Sequence, residues 1–122
     1  MDSKKKYRIS GLVVHGDGYG RKIGFPTVNL DIDTEATPPY GIREGVYSGL
    51  ALLDKKTYRA GIVVSNVVDK NIPKIEAHLI DYTGDAYGKN VVLEIQKFIR
   101  EYKNFETEEE LINQIKEDLN QC

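Results

Sequence analysis

An all-β fold, a small closed barrel, is what this sequence predicts, on three observations. Five segments, Tyr7–Val14, Gly45–Asp54, Thr57–Val64, Lys74–Ile80 and Val91–Phe98, are rich in Val, Ile, Leu, Tyr and Thr and are separated by polar breaks. Their connections are short, with no helical stretch between them. A chain of 122 residues is the length of one domain, able to bury about two thirds of its unfolded surface. Closing the sheet on itself removes the unpaired edges that so small a sheet would otherwise expose. An open sandwich is the competing architecture.

Taken in order, residues 1–6 form a short basic leader, expected to be flexible, ahead of the strand Tyr7–Val14. Pro26–Leu30 adds a short sixth strand. Gly45–Asp54 and Thr57–Val64 flank a turn in "DKK" and read as an antiparallel hairpin. Near the C-terminus "TEEE" supplies Thr107 as an N-cap and Glu110 as the acid of a capping box, and Leu111, Ile115 and Leu119 then share one helical face. The acids of that first turn suit the positive end of the helix dipole, so they require no metal to explain them.

Composition narrows the class. With 40% hydrophobic and 30% charged residues and a net charge of −2, the chain reads as an ordinary globular domain, and the balance argues against broad nucleic-acid binding. The one cysteine, Cys122, is the final residue, so neither a disulfide framework nor a cysteine-rich metal site is possible. No apolar run is long enough for a signal peptide or a membrane span. The expectation is a cytoplasmic monomer acting on small molecules, with neither membrane nor nucleic acid as partner.

One stretch carries chemistry. "HGDGYGRKIG" holds Gly16, Gly18, Gly20 and Gly24 beside Arg21 and Lys22, and glycines let a backbone pass close to an anion while presenting N–H groups to it. It is neither a Walker loop nor a Rossmann fingerprint, and a flexible surface loop with two cations would look similar. Thr27 and Asn29 follow, two residues apart and so on one strand face. A hydroxyl and an amide oxygen can serve magnesium beside a nucleotide. By spacing alone, a strand-end Thr and Asn satisfying turn hydrogen bonds is the simpler account.

Together "GLVVHGDGYGRKIGFPTVNL", "IEAHLIDYTGDAYG" and "FIREYKNFETEEEL" resemble, in matching order and over nearly the whole chain, the ATP-dependent riboflavin kinase family. The resemblance implies a six-stranded antiparallel barrel with a C-terminal helix. It also implies a kinase that makes FMN and ADP from riboflavin and ATP with Mg2+, Zn2+ or Mn2+ being the other ions to consider. In bacteria this domain is commonly half of a bifunctional FAD synthetase. With only a short basic leader ahead of it here, FMN synthesis without the second activity is expected. The competing reading is a flavin- or nucleotide-binding module of the same fold without turnover.

Roles carry over by position. Gly16 and Arg21 match the loop over the nucleotide phosphates, and Thr27 and Asn29 match a Pro-Thr-x-Asn pair associated with magnesium and ATP. Val28 replaces the commoner alanine, which adds bulk on the opposite face and implies repacking. Glu76 matches the catalytic carboxylate. On its strand Ile75, Ala77 and Leu79 form one apolar face, leaving Glu76 and His78 on the other; His78 itself reads as a hydrogen-bonded structural residue. Leu79, Asp81 and Tyr87 match the nucleotide pocket and a second covering loop, and Arg100 and Lys103 match positions near the flavin. Phe105 is expected to staple the helix start rather than to underlie the flavin ring. One segment departs from the family pattern: "VVSNVVDKNIPK" is shorter than the usual loop before the catalytic carboxylate.

Overall fold

The computed structural model describes residues 7–15, 18–32, 42–67 and 72–122. Six strands, β1 (Tyr7–Val14), β2 (Val28–Ile32), β3 (Gly45–Leu53), β4 (Lys56–Val67), β5 (Ile72–Leu79) and β6 (Asn90–Arg100), are joined by a helical turn α1 (Tyr19–Lys22) and followed by α2 (Glu108–Asn120). They close in the order β1-β2-β5-β4-β3-β6, and every pairing is antiparallel. The barrel, and not the open sandwich, is therefore the fold. The leader 1–6 lies outside the described residues.

Alternation along the strands builds the core. On β1, Ile9, Gly11 and Val13 point inward while Arg8 and Leu12 are exposed. Ile62, Val64, Ile75, Leu93 and Ile95 complete the centre of a single apolar cluster, and Val28 packs against its edge. No described helix is long and apolar enough to cross a membrane.

Three details depart from the sequence expectation. The β3–β4 turn is only Asp54–Lys55, both at positive φ (53° and 67°), so Lys56 already pairs with Leu53. A two-residue turn of that hand matches the twist of the flanking strands. Next, β4 and β5 extend further than the apolar runs suggest, pairing through Asn66↔Pro73 and Val67↔Ile72. Pro73 is tolerated because, among the described residues, β2 meets β5 only at Glu76 and Ala77, leaving no ladder partner at Pro73 on that side of β5. The atypical segment is thus mostly strand, and 68–71 lie outside the described residues. Finally, "HGDGYGRKIG" is not loop throughout, since Tyr19–Lys22 form one helical turn closed by Lys22 N–H to Gly18 O at 3.1 Å.

Where β3 crosses β6 the register shifts twice, between Val46 and Tyr47 and between Ser48 and Gly49. A Cβ on Gly49 would lie 2.1 Å from the Glu94 carbonyl oxygen and 2.9 Å from Ile62 Cδ1. Gly49→Ala is therefore expected to cost about 1–3 kcal/mol through overpacking, read as a lowered melting temperature. An unchanged melt would show that the barrel wall can move apart there.

Candidate active site at the junction of two pockets

The site begins where β2 enters the barrel. Thr27 precedes β2, and its hydroxyl donates to Glu76 Oε1 at 3.1 Å. Glu76 sits opposite Asn29 in the β2–β5 register. The alternation expected for β5 holds: Ile75, Ala77 and Leu79 are buried, while Glu76 and His78 are half-buried on the other face. Lys74 Nζ lies 3.9 Å from the second Glu76 oxygen.

Thr27 stands between two cavities. The smaller, about 280 Å³, is lined by Thr27 and Asn29 from the β2 entry, by Gly18 and Arg21 from the α1 segment, and by Leu79 and Tyr87 from β5 and the loop after it. Arg21 is exposed and lines this cavity. Tyr87 does not stand alone: its ring stacks on His15 with centroids 3.8 Å apart and planes 13° from parallel, joining the end of β1 to the loop before β6. The Tyr87 N–H donates to Asp85 Oδ1 at 3.0 Å, which shapes that loop tip.

The larger cavity, about 530 Å³, lies between the outer face of β4 and β5 and the segment running from the end of β6 into α2. Glu76, His78 and Thr27 form one wall; Arg100, Lys103 and Phe105 belong to the other, with Leu111 and Ile115 of α2. Helix α2 starts as expected, the Thr107 hydroxyl accepting the Glu110 N–H at 3.1 Å. Phe105 lines the cavity beside Leu111 and carries Lys103 Nζ at 5.0 Å and Arg100 Cζ at 5.6 Å from its ring centre. It thus belongs to the pocket wall.

Arg100 is held more firmly than its place on a pocket wall implies. Its Nε donates to both oxygens of Asp118 at 3.0 and 3.1 Å, its Nη2 to Oδ2 at 2.8 Å, and its Nη1 to the Glu101 carbonyl at 3.0 Å. Three of the five guanidinium N–H groups are thereby engaged within the protein. Asp118, buried to 5% exposure, also accepts from Gln114 Nε2 at 3.0 Å.

Eight of the ten sequence-derived site positions reach one cavity or the other: Arg21, Thr27, Asn29, Leu79 and Tyr87 on the smaller, and Thr27 again with Glu76, Arg100 and Lys103, beside the neighbouring His78, on the larger. Asp81 does not line either; it occupies a turn after β5 at φ 66°, exposed, while Tyr82 to Ala86 line the smaller cavity in its stead. Gly16 lies outside the described residues. Sequence reasoning missed His15, Phe25 and Asp118. Asp118 in "IKEDLN" looks like one more solvated helix acid, and only its partner on β6 distinguishes it.

The fold and this site define a barrel domain in which two small-molecule cavities meet at one hydroxyl–carboxylate pair. The flavokinase family model, described as riboflavin kinase, matches residues 3–122, and the chain belongs to that family. Among curated relatives it is 37% identical over 115 residues to the RNA-binding riboflavin kinase RibR of Bacillus subtilis, covering 91% of this chain and 47% of that protein. It is 33% identical over 120 residues to the bifunctional riboflavin kinase/FMN adenylyltransferase of Escherichia coli, covering 92% of this chain and 36% of that protein. The chain thus spans less than half the length of these relatives. Similar solved structures are riboflavin kinase from Trypanosoma brucei (TM-score 0.69, 24% identity, 97% of this chain and 78% of that one) and a protein from Streptococcus pneumoniae described as a macrolide-efflux protein (TM-score 0.83, 30% identity, 96% and 38%).

Proposed function

We propose that this chain transfers the γ-phosphoryl group of ATP to the ribityl 5′-hydroxyl of riboflavin, giving FMN and ADP. The observation that carries the reading is the Thr27–Glu76 hydrogen bond at the place where the two cavities meet. A phosphoryl transfer needs its donor and acceptor on either side of one reacting centre, nearly in line. The smaller cavity, with Arg21 and the neutral oxygens of Thr27 and Asn29, suits the polyphosphate end of a nucleotide. The larger, walled by Phe105, Leu111 and Ile115, suits a planar aromatic ring system.

Glu76 accepts the proton of the ribityl hydroxyl as that oxygen bonds to the γ-phosphorus and the bond from phosphorus to the bridging oxygen of ADP breaks. Arg21 meets charge on the phosphate oxygens. Lys103 and Arg100 orient the flavin side, Arg100 through the N–H groups that Asp118 and Glu101 leave open. Leu79 and Tyr87 border the nucleotide.

Magnesium fits the donor set. Zinc sites draw mostly on nitrogen and sulfur, whereas Thr27 and Asn29 offer oxygen. The Thr27 hydroxyl donates its hydrogen bond to Glu76, so its lone pairs remain for an ion, and Asn29 adds an amide oxygen on the same cavity. Two hard neutral oxygens, with water and phosphate supplying the rest, are an ordinary magnesium shell. When bound, the ion would neutralise phosphate charge.

Thr27→Val and Asn29→Leu each remove one such oxygen. Each is expected to weaken magnesium-dependent ATP binding about tenfold or more, in line with the loss of a hydrogen-bonding or ligating group to a charged partner. Calorimetry with and without magnesium checks this; folded variants that bind as tightly as the parent would remove the pair from the site.

Incubating the protein with riboflavin, ATP and magnesium and separating the products tests the function itself. FMN and ADP in equal amounts are expected; saturable binding of both substrates without product would leave only a binding module. The RNA binding in the name of the Bacillus subtilis relative is said of that protein. Here a net charge of −2 supports small molecules as the partners.

A further inference from the structure

We infer that His78 is a positioning residue that holds Thr27 in place through the backbone of Pro26. The ladder between β2 and β5 consists of Val28↔Ala77 and Asn29↔Glu76 alone. One step further, at Thr27↔His78 and Pro26↔Leu79, backbone pairing stops, and Pro26 has no N–H with which to continue it. Side chains of β5 take over. The Thr27 hydroxyl donates to Glu76, and His78 Nδ1 meets the Pro26 carbonyl at 2.7 Å. A carbonyl oxygen only accepts, so Nδ1 carries the proton. The ring also stands edge-on to Phe25, with centroids 5.9 Å apart at 76°. His78 thus grips the two residues that precede Thr27.

The consequence is functional because, among the described residues, Thr27 is the one that lines both cavities, and its side chain is bonded to Glu76. Without His78, the Thr27–Glu76 bond is the one side-chain hydrogen bond left between Phe25–Thr27 and β5 among the described residues. Misplacement by about 1 Å at a reacting centre can cost on the order of a hundredfold in rate. His78 touches neither transferring atom in this account; it acts through Pro26 and Thr27.

The inference rests on the kinase reading for its activity readout, and the experiment separates the two. His78 is replaced by Leu, Asn and Gln. The amide nitrogen of Asn falls near the Nδ1 position and can donate to the Pro26 carbonyl, whereas that of Gln reaches toward Nε2. His78→Leu and His78→Gln are expected to lower turnover by roughly ten- to a hundredfold, with magnesium-dependent ADP affinity falling alongside. His78→Asn is expected to recover most of both. Amide exchange over Thr27–Leu30 should be faster in the Leu and Gln variants and near the parent rate in the Asn variant, a readout that holds even if the parent protein makes no FMN. Parent-like exchange in His78→Leu, or Asn behaving no better than Gln, would overturn the positioning role. An inactive parent with the expected exchange pattern would instead overturn the kinase reading.

Discussion

Glu76→Gln is expected to lower turnover by about 10²–10⁴-fold, the usual range for loss of a general base, while nucleotide and flavin affinities stay close to those of the parent. Glutamine keeps the shape and can still accept from the Thr27 hydroxyl through its amide oxygen, so the Thr27–Glu76 hydrogen bond at 3.1 Å has a surrogate. What disappears is the group that takes the proton. Because phosphoryl transfer is loose, with little proton movement until late, the lower half of that range is the sharper expectation. Single-turnover kinetics alongside equilibrium binding would check it. Turnover near the parent value would remove Glu76 from the reaction and leave it a strand acid bonded to Thr27 and near Lys74.

Asp118→Ala carries the largest expected loss of stability. Asp118 is the buried charged side chain of the described core, and Arg100 opposite it is only 20% exposed at its side chain. Removing the carboxylate leaves a guanidinium with two unpaired N–H donors and no anion, a change that costs about 3 kcal/mol or more when a buried pair is broken from one side. For a domain of this size that lowers the melting temperature by roughly 10 °C. Gln114 also loses its acceptor, and α2, which walls the larger cavity, loses its polar tie to β6. Riboflavin affinity should therefore fall with stability. The double variant Arg100→Met with Asp118→Leu should recover most of the melting temperature, since an apolar pair of similar volume can replace a buried ion pair. If Asp118→Ala melts within a degree or two of the parent, the pair is not what fastens the helix.

How much of this was legible in the sequence differs from element to element. The first strand, Tyr7–Val14, has the same bounds in both readings because its alternation is regular and polar residues stop it on each side. The second, read as Pro26–Leu30, starts two residues later, since Pro26 cannot donate and Thr27 turns its hydroxyl to Glu76 instead of extending the ladder. The hairpin ends shifted because ladder pairing, which no single strand records, carried β4 to Val67. The helical turn Tyr19–Lys22 was hidden by glycines, whose intrinsic preference runs against it.

The sequence by itself determined an all-β chain with a capped C-terminal helix, and that Glu76 shares a strand face with His78 opposite an apolar one. Those features follow from local periodicity, turn chemistry and capping, which act over a few neighbouring residues; that the sheet closes into a barrel was decided by the pairing of β1 with β6 and of β2 with β5. It also placed Thr27 and Asn29 on one face, and its three ordered motifs pointed to the flavokinase family. Only the tertiary structure decided that Thr27 meets Glu76 across 49 positions, that His78 holds the Pro26 carbonyl, and that Asp118 belongs to Arg100 and not to solvent. Each of these is a contact between side chains far apart in the chain. Its strength depends on burial and on the angle at which two elements cross, and neither is written in the spacing of residues along one strand or helix.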